Sequence, residues 1–211
     1  MGGIFMSSPI YWQDAKEYLR SNDAILADII ALYPSETMIN YHDAFLTLVK
    51  AIIGQQISVS AANAINQRVE SLLGEITPEN YLETDPQLLR QCGLSRQKIA
   101  YITNITQGFK DGILTPQTWS DMTDKAVIDQ LTSIKGIGPW TAQMFLIFHL
   151  HRRDIFPLAD LGLINAIQLH YGSEKALSKG EIKELSQRWK PYRTVATWYL
   201  WRSLDPVPVQ Y

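Results

Sequence analysis

The stretch of this 211-residue chain whose residue types and spacing best suit chemistry is Leu131-Thr132-Ser133-Ile134-Lys135-Gly136-Ile137-Gly138-Pro139-Trp140-Thr141-Ala142, with two glycines one residue apart and a proline after them. Glycine is needed where φ is positive or where another molecule must come close to the backbone. Proline suits the first turn of a new helix, where its missing N–H costs nothing. A hairpin of this kind aims free amides and the positive end of a helix dipole at one spot. Such a spot binds anions, and a phosphodiester fits it without net positive charge on the protein. A tight turn between two helices is the other reading of Gly136 and Gly138. The flanking Lys135 and Pro139-Trp140-Thr141-Ala142 make the segment more distinctive than a bare G-x-G.

Metal and thiol chemistry find little support. His42, His149, His151 and His170 show no H-x-x-x-H or carboxylate spacing typical of a metal site. The lone Cys92 cannot form an internal disulfide or supply the thiolates of a zinc or iron–sulfur centre, which points to a reducing cytosolic or nuclear setting. No apolar run is long enough to cross a membrane, and the first ten residues lack the basic start of a signal peptide, so a soluble, unexported protein is expected. The net charge of −2 conceals an uneven distribution: residues 1–50 carry 3 positive and 6 negative charges, residues 151–211 carry 9 and 6. That leaves room for a basic face in the last third, or for an ordinary solvated helix surface.

Helices must position these residues, because alternating β-branched runs are absent while apolar residues recur at three- and four-residue steps. The spacing predicts helices over 11–19, 24–32, 44–53 and 59–73, the last opened by Ser58 and closed by Gly74. Thr77-Pro78, Asp85-Pro86 and Thr115-Pro116 read as short helix starts. A helix over 95–108, a brief one from Thr123 to about 134, and helices over 139–151, 160–171, 179–188 and 191–203 follow; Asp205-Pro206-Val207-Pro208 cannot be helical. With 46% apolar residues and 19% charged, the chain can bury a core as one domain or two closely joined ones, and the fold class is all-α.

Four segments in order carry a family resemblance: Ala51-Ile52-Ile53-Gly54-Gln55-Gln56-Ile57-Ser58, the hairpin Lys135 to Ala142, Asp154-Ile155-Phe156-Pro157-Leu158-Ala159-Asp160, and Trp189-Lys190-Pro191-Tyr192-Arg193 leading to Trp198-Tyr199-Leu200-Trp201. The chain from about Ala44 to Trp201 resembles the helix-hairpin-helix (HhH-GPD) DNA glycosylase superfamily, and within it the compact alkylbase, DNA-3-methyladenine glycosylase II group. The resemblance implies two helical lobes, residues 1–44 with 145–211, and 45–144 containing the hairpin at 131–144. It implies a monomer acting on damaged double-stranded DNA, cytoplasmic in a bacterium or nuclear in a eukaryote. No cofactor is required, although a monovalent cation at the hairpin is compatible with the pattern.

By the same resemblance Asp160 is the carboxylate that stabilises the sugar cation, and a place at a helix N-terminus would favour its ionised form. Asp154 matches a position that looks structural. Lys135, Gly136, Gly138 and Thr141 correspond to the strand-gripping hairpin, and Gln56 to the wedge that fills the gap left by an everted base. Gln55 is read as a structural hydrogen-bonder, Trp198 as core, and Arg193 as either a phosphate contact or a brace for the last helix. Trp140 and Trp201 match aromatic walls of a base pocket, suited to electron-poor alkylated purines such as 3-methyladenine and 7-methylguanine. Met144 and Leu161 stand where the best-known bacterial relatives have tyrosines, which favours bases that already leave easily. Strand-nicking relatives use a lysine amine where this chain has Trp140, so base removal without strand cleavage is expected. Two rivals stand beside this reading: a non-catalytic helix-hairpin-helix DNA-binding module, and an oxidised-base glycosylase with lyase activity.

Overall fold

The computed structural model describes residues 8–38, 43–173 and 175–205; His42 and the tail 206–208 lie outside them. Among the described residues the fold is helical without strands, and two compact units form: a central one over 43–150, and a split one that joins 8–38 to 151–205. In chain order α1 (Trp12–Asn22) and α2 (Ala24–Leu32) belong to the split unit. The central unit holds α3 (Ala44–Gly54), α4 (Val59–Leu73), α5 (Pro78–Glu83), α6 (Pro86–Gln91), α7 (Arg96–Lys110), α8 (Asp124–Thr132) and α9 (Pro139–Phe148). The chain then returns to the split unit with α10 (Leu161–Tyr171), α11 (Lys179–Leu185) and α12 (Arg193–Leu204). The boundary keeps α9 whole in the central unit, whereas the lobes expected from the sequence divide it after residue 144. Phe145 is the reason: it is fully buried, with its ring 4.9 Å from that of Trp119.

In the central unit α3 buries Phe45, Leu48, Val49 and Ile52 and packs on α4, α7 and α9. Each such side chain stabilises the fold by about 1.5–3 kcal/mol. This central helix places its own C-terminal end beside the start of α9. In the split unit α1 packs on α2 and α12, and α10 packs on α12. Trp12, Trp198 and Tyr199 interlock there, the two indoles meeting edge-on at 5.2 Å. Trp198 is core, as the sequence reading had it.

Caps account for most helix starts. Ser58, Thr77, Asp85, Ser95 and Thr123 each accept a hydrogen bond from a backbone amide two or three residues onward, worth about 1 kcal/mol apiece. The departures lie at helix ends. The helix expected to reach 151 stops at Phe148, because Leu150 N–H turns back to Phe145 O and His151 takes a left-handed φ of 50°. The helix expected over 179–188 ends at Leu185 and tightens into a 3-10 turn over Ser186–Trp189, and Pro116–Thr118 is likewise 3-10. No helix among the described residues is long and apolar enough to cross a membrane.

Candidate functional site

The hairpin closes between α8 and α9 with Ile137 N–H donating to Ile134 O at 3.0 Å. Its two glycines are required for different reasons. Gly136 has φ +114°, and a Cβ there would lie 2.4 Å from Tyr101 Cγ, so the chain itself forbids a side chain. Gly138 has an ordinary φ of −91°, and its Cβ would meet nothing within 4 Å. Nothing inside the protein demands glycine at 138, and the space beside it is open. Gly138 also stands at the head of α9 without any side-chain cap, with Pro139 in the first turn. First-turn amides have no partners within a helix, which leaves this end electropositive.

Side chains from neighbouring helices hold the turn by its carbonyls. Asn104 Nδ2 donates to Lys135 O at 3.0 Å. Gln55 Nε2 donates to Gly136 O at 3.4 Å and to Thr141 Oγ1 at 3.0 Å. Gln55 is therefore the structural hydrogen-bonder expected. Of the four residues expected at the strand, Lys135 is exposed and the glycines are half-buried, but Thr141 is only 2% exposed and turns its hydroxyl inward to Gln55. Only its main chain remains for outside contact. The carbonyls of Ile134, Lys135 and Gly136 are already engaged, and the described residues hold no His, Cys, Asp or Glu cluster able to bind a metal ion.

Gln56 is exposed on the turn between α3 and α4 with φ +60°, a conformation costing a non-glycine residue about 1–3 kcal/mol. Lys98 on α7 holds that turn from beneath, donating to Ile53 O at 2.6 Å and Gln55 O at 3.0 Å. Burial pulls the Lys98 ammonium below the ordinary lysine range, so these two carbonyls are what keeps a desolvated cation in place. Through Gln55 the Gln56 turn and the hairpin form one braced piece of the central unit. Trp140 is half-buried in the first turn of α9, and Met144 is 1% exposed on the same helix.

In the split unit Asp160 is the N-cap of α10. Its Oδ1 accepts from Leu163 N–H at 2.7 Å and from Trp201 Nε1–H at 2.8 Å. The structure thus brings together two of the residues singled out by the sequence, as a hydrogen-bonded pair. Leu161, the next residue, is 73% exposed, and Trp201 is 7% exposed. The loop leading to Asp160 is pinned to the start of α12. Arg193 forks onto Asp154, Nε to Oδ1 at 2.7 Å and Nη2 to Oδ2 at 2.9 Å, and also reaches Asp154 O. Thr194 Oγ1 donates to Arg152 O and accepts from Ile155 N–H. Arg193 is accordingly a brace, and Asp154 its structural partner.

Sequence reasoning missed Lys98, Asn104 and Tyr101, because nothing local marks a side chain that reaches across to another helix. It also missed Gly162, where a signal existed: glycine is a poor helix former, yet it stands in the first turn of α10.

Residues 49–191 match the model of the HhH-GPD superfamily base excision DNA repair protein. A putative DNA-3-methyladenine glycosylase of Bacillus subtilis is 34% identical over 172 residues, 78% of this chain, which spans 60% of that relative's length. DNA-3-methyladenine glycosylase 1 of Schizosaccharomyces pombe is 32% identical over 182 residues, covering 84% of this chain and 80% of that one. The solved structure of a 3-methyladenine DNA glycosylase from Schizosaccharomyces pombe, in complex with abasic DNA, superposes with a TM-score of 0.81 at 31% identity, over 94% of this chain and 100% of the other.

Proposed function

We propose, for a chain that belongs to the HhH-GPD superfamily of base excision DNA repair proteins, the activity of a monofunctional DNA glycosylase that everts and removes alkylated purines such as 3-methyladenine and 7-methylguanine. The observation that carries this reading is Asp160, a carboxylate capping α10 and aimed by a second donor, Trp201 Nε1–H. The relatives' names support the substrate class. The bare Gly138 and the uncapped start of α9 support a grip on a phosphodiester of damaged double-stranded DNA.

The chemistry follows from charge. An alkylated purine already carries positive charge, so the electron pair of its bond to C1′ leaves with the base and the base departs neutral. The deoxyribose becomes cationic at C1′. Asp160 supplies the opposing charge, and a water oxygen then bonds to C1′ and loses one proton to solvent, leaving a hydroxyl on the deoxyribose. Gln56, exposed at a strained turn, fills the space vacated in the duplex. Trp140 and Met144 of the central unit, and Trp201 and Leu161 of the split unit, are assigned to base recognition, the two tryptophans by stacking; Met144 is buried. Trp140 cannot form an imine with the sugar, so the strand stays intact and an abasic site is the product. No cofactor enters these steps; a monovalent cation at the hairpin would have to share carbonyls already engaged within the protein and would take no part in bond cleavage. The enzyme acts as a monomer wherever the DNA lies, in the cytoplasm of a bacterium or the nucleus of a eukaryote.

Methylated duplex DNA tests this directly. Free methylpurine should appear, with strand breaks only after hot alkali. Binding without base release would mean a non-catalytic DNA-binding module. A protein–DNA adduct trapped by borohydride would mean a lyase.

A further inference from the structure

Trp201 is read above as a ring against which a base stacks, but its polar edge is committed elsewhere. Nε1–H donates to Asp160 Oδ1 at 2.8 Å, and the same oxygen accepts Leu163 N–H at 2.7 Å. The two donors come from different elements. Leu163 belongs to α10, whose first turn the carboxylate caps; Trp201 belongs to α12, which packs on α10. Two N–H groups converging on one carboxylate oxygen fix the few torsions an aspartate has. The indole is itself held, being 7% exposed, while the adjacent Arg202 forks onto Glu36.

Gly162 completes the arrangement. A Cβ there would lie 3.2 Å from Asp160 Oδ1, 3.5 Å from Trp201 Cδ1 and 3.6 Å from Trp201 Nε1. Glycine in a helix costs about 1 kcal/mol relative to alanine, and Gly162 is not among the residues of positive φ. What the glycine provides is clearance at the accepting oxygen, since of the three distances only that to Oδ1 is closer than ordinary contact.

We infer that Trp201 is a positioning residue for base excision, acting through its indole N–H to hold Asp160 on its aim, with Gly162 keeping clear the space that this hydrogen bond occupies. The inference rests on the glycosylase reading and deepens it. A carboxylate already oriented when substrate arrives needs no rearrangement as charge develops at C1′. Without the indole donor it is free to rotate between wells, and part of the opposing charge is misplaced.

Trp201→Phe keeps an aromatic ring and removes the N–H. Three quantities are measured: single-turnover release of 7-methylguanine, affinity for a duplex with a protonated pyrrolidine at an abasic position, and affinity for one with neutral tetrahydrofuran there. The pyrrolidine puts a positive charge where the sugar cation would form. Release should slow by about tenfold or more, the effect of losing a hydrogen bond to a charged group. Preference for pyrrolidine over tetrahydrofuran should fall by a similar factor, with tetrahydrofuran affinity unchanged. Gly162→Ala, which leaves ring and N–H in place, should move both in the same direction by less. Unchanged release and unchanged preference in Trp201→Phe overturn the inference, as does a loss of tetrahydrofuran affinity as large as that of pyrrolidine. Wild type that releases no base would remove the glycosylase reading and this inference with it, whereas wild type that releases base at a rate and with a pyrrolidine preference that Trp201→Phe leaves unchanged would remove this inference alone.

Discussion

The hairpin of the central unit and the carboxylate of the split unit are built on opposite plans. Around the hairpin, neutral side-chain amides and one lysine reach onto main-chain carbonyls, and the surface offered outward is backbone. Around Asp160, side chains bond to side chains: an indole to a carboxylate, and a guanidinium to a carboxylate one loop away. The difference teaches which part can be indifferent to DNA sequence and which must be exact. On the proposed function, backbone amides would meet phosphates, which are the same at every step, and a single carboxylate would meet one carbon atom.

The contrast breaks most sharply at Asp160. Asp160→Asn keeps an oxygen to cap α10 and to accept from Trp201, so folding and duplex binding should survive. Excision should fall by about 10²–10³-fold or more, the scale of removing a preorganised electrostatic group. Near-normal release of methylpurine by this variant would place the chemistry elsewhere.

The two glycines come next. Gly136→Ala should destabilise the central unit by about 1–3 kcal/mol through overpacking on Tyr101, beyond the strain of a left-handed alanine, and thermal melting would register it. Gly138→Ala puts its methyl group into open space. It should cost the fold less than about 1 kcal/mol yet weaken duplex affinity by about tenfold, as one lost hydrogen bond to a charged group would. If Gly138→Ala binds DNA as well as wild type does, the hairpin is merely a turn.

Much of this was legible in the chain. Helices and their caps are local events, set by periodicity and by residues within three positions, and Ser58, Ser95 and Asp160 declare themselves that way. The hairpin was legible because two glycines and a proline are unusual together. Tertiary reach was not. Lys98 is separated from the carbonyls it holds by more than forty residues, and Arg193 from Asp154 by 39. Thr141 looked like a strand contact from its position, but helical phase turns its hydroxyl toward Gln55. The stop at Phe148 goes with a left-handed φ at His151, a conformation uncommon enough outside glycine that the sequence does not announce it.

The smallest effect sharpens the contrast through pH. Arg202, beside Trp201 on α12, forks onto Glu36 and lies 4.1 Å over the Tyr33 ring. The hydrogen bond from its guanidinium holds the Glu36 carboxyl below the usual carboxylate range. A carboxyl depressed in the folded state adds stability above its unfolded value, and that stability is lost as pH falls through the folded value. The pair is partly solvated, so the contribution is less than about 1 kcal/mol. Acid should therefore loosen the end of α12, while the amide-to-carbonyl supports of the hairpin, which do not titrate, keep their protection. Hydrogen exchange between neutral and acid pH should show α12 losing protection before α9, and Glu36→Gln should start lower at neutral pH and narrow that gap. If α9 opened first as pH fell, the bracing assigned to the hairpin, which takes up no proton in acid, would be wrong.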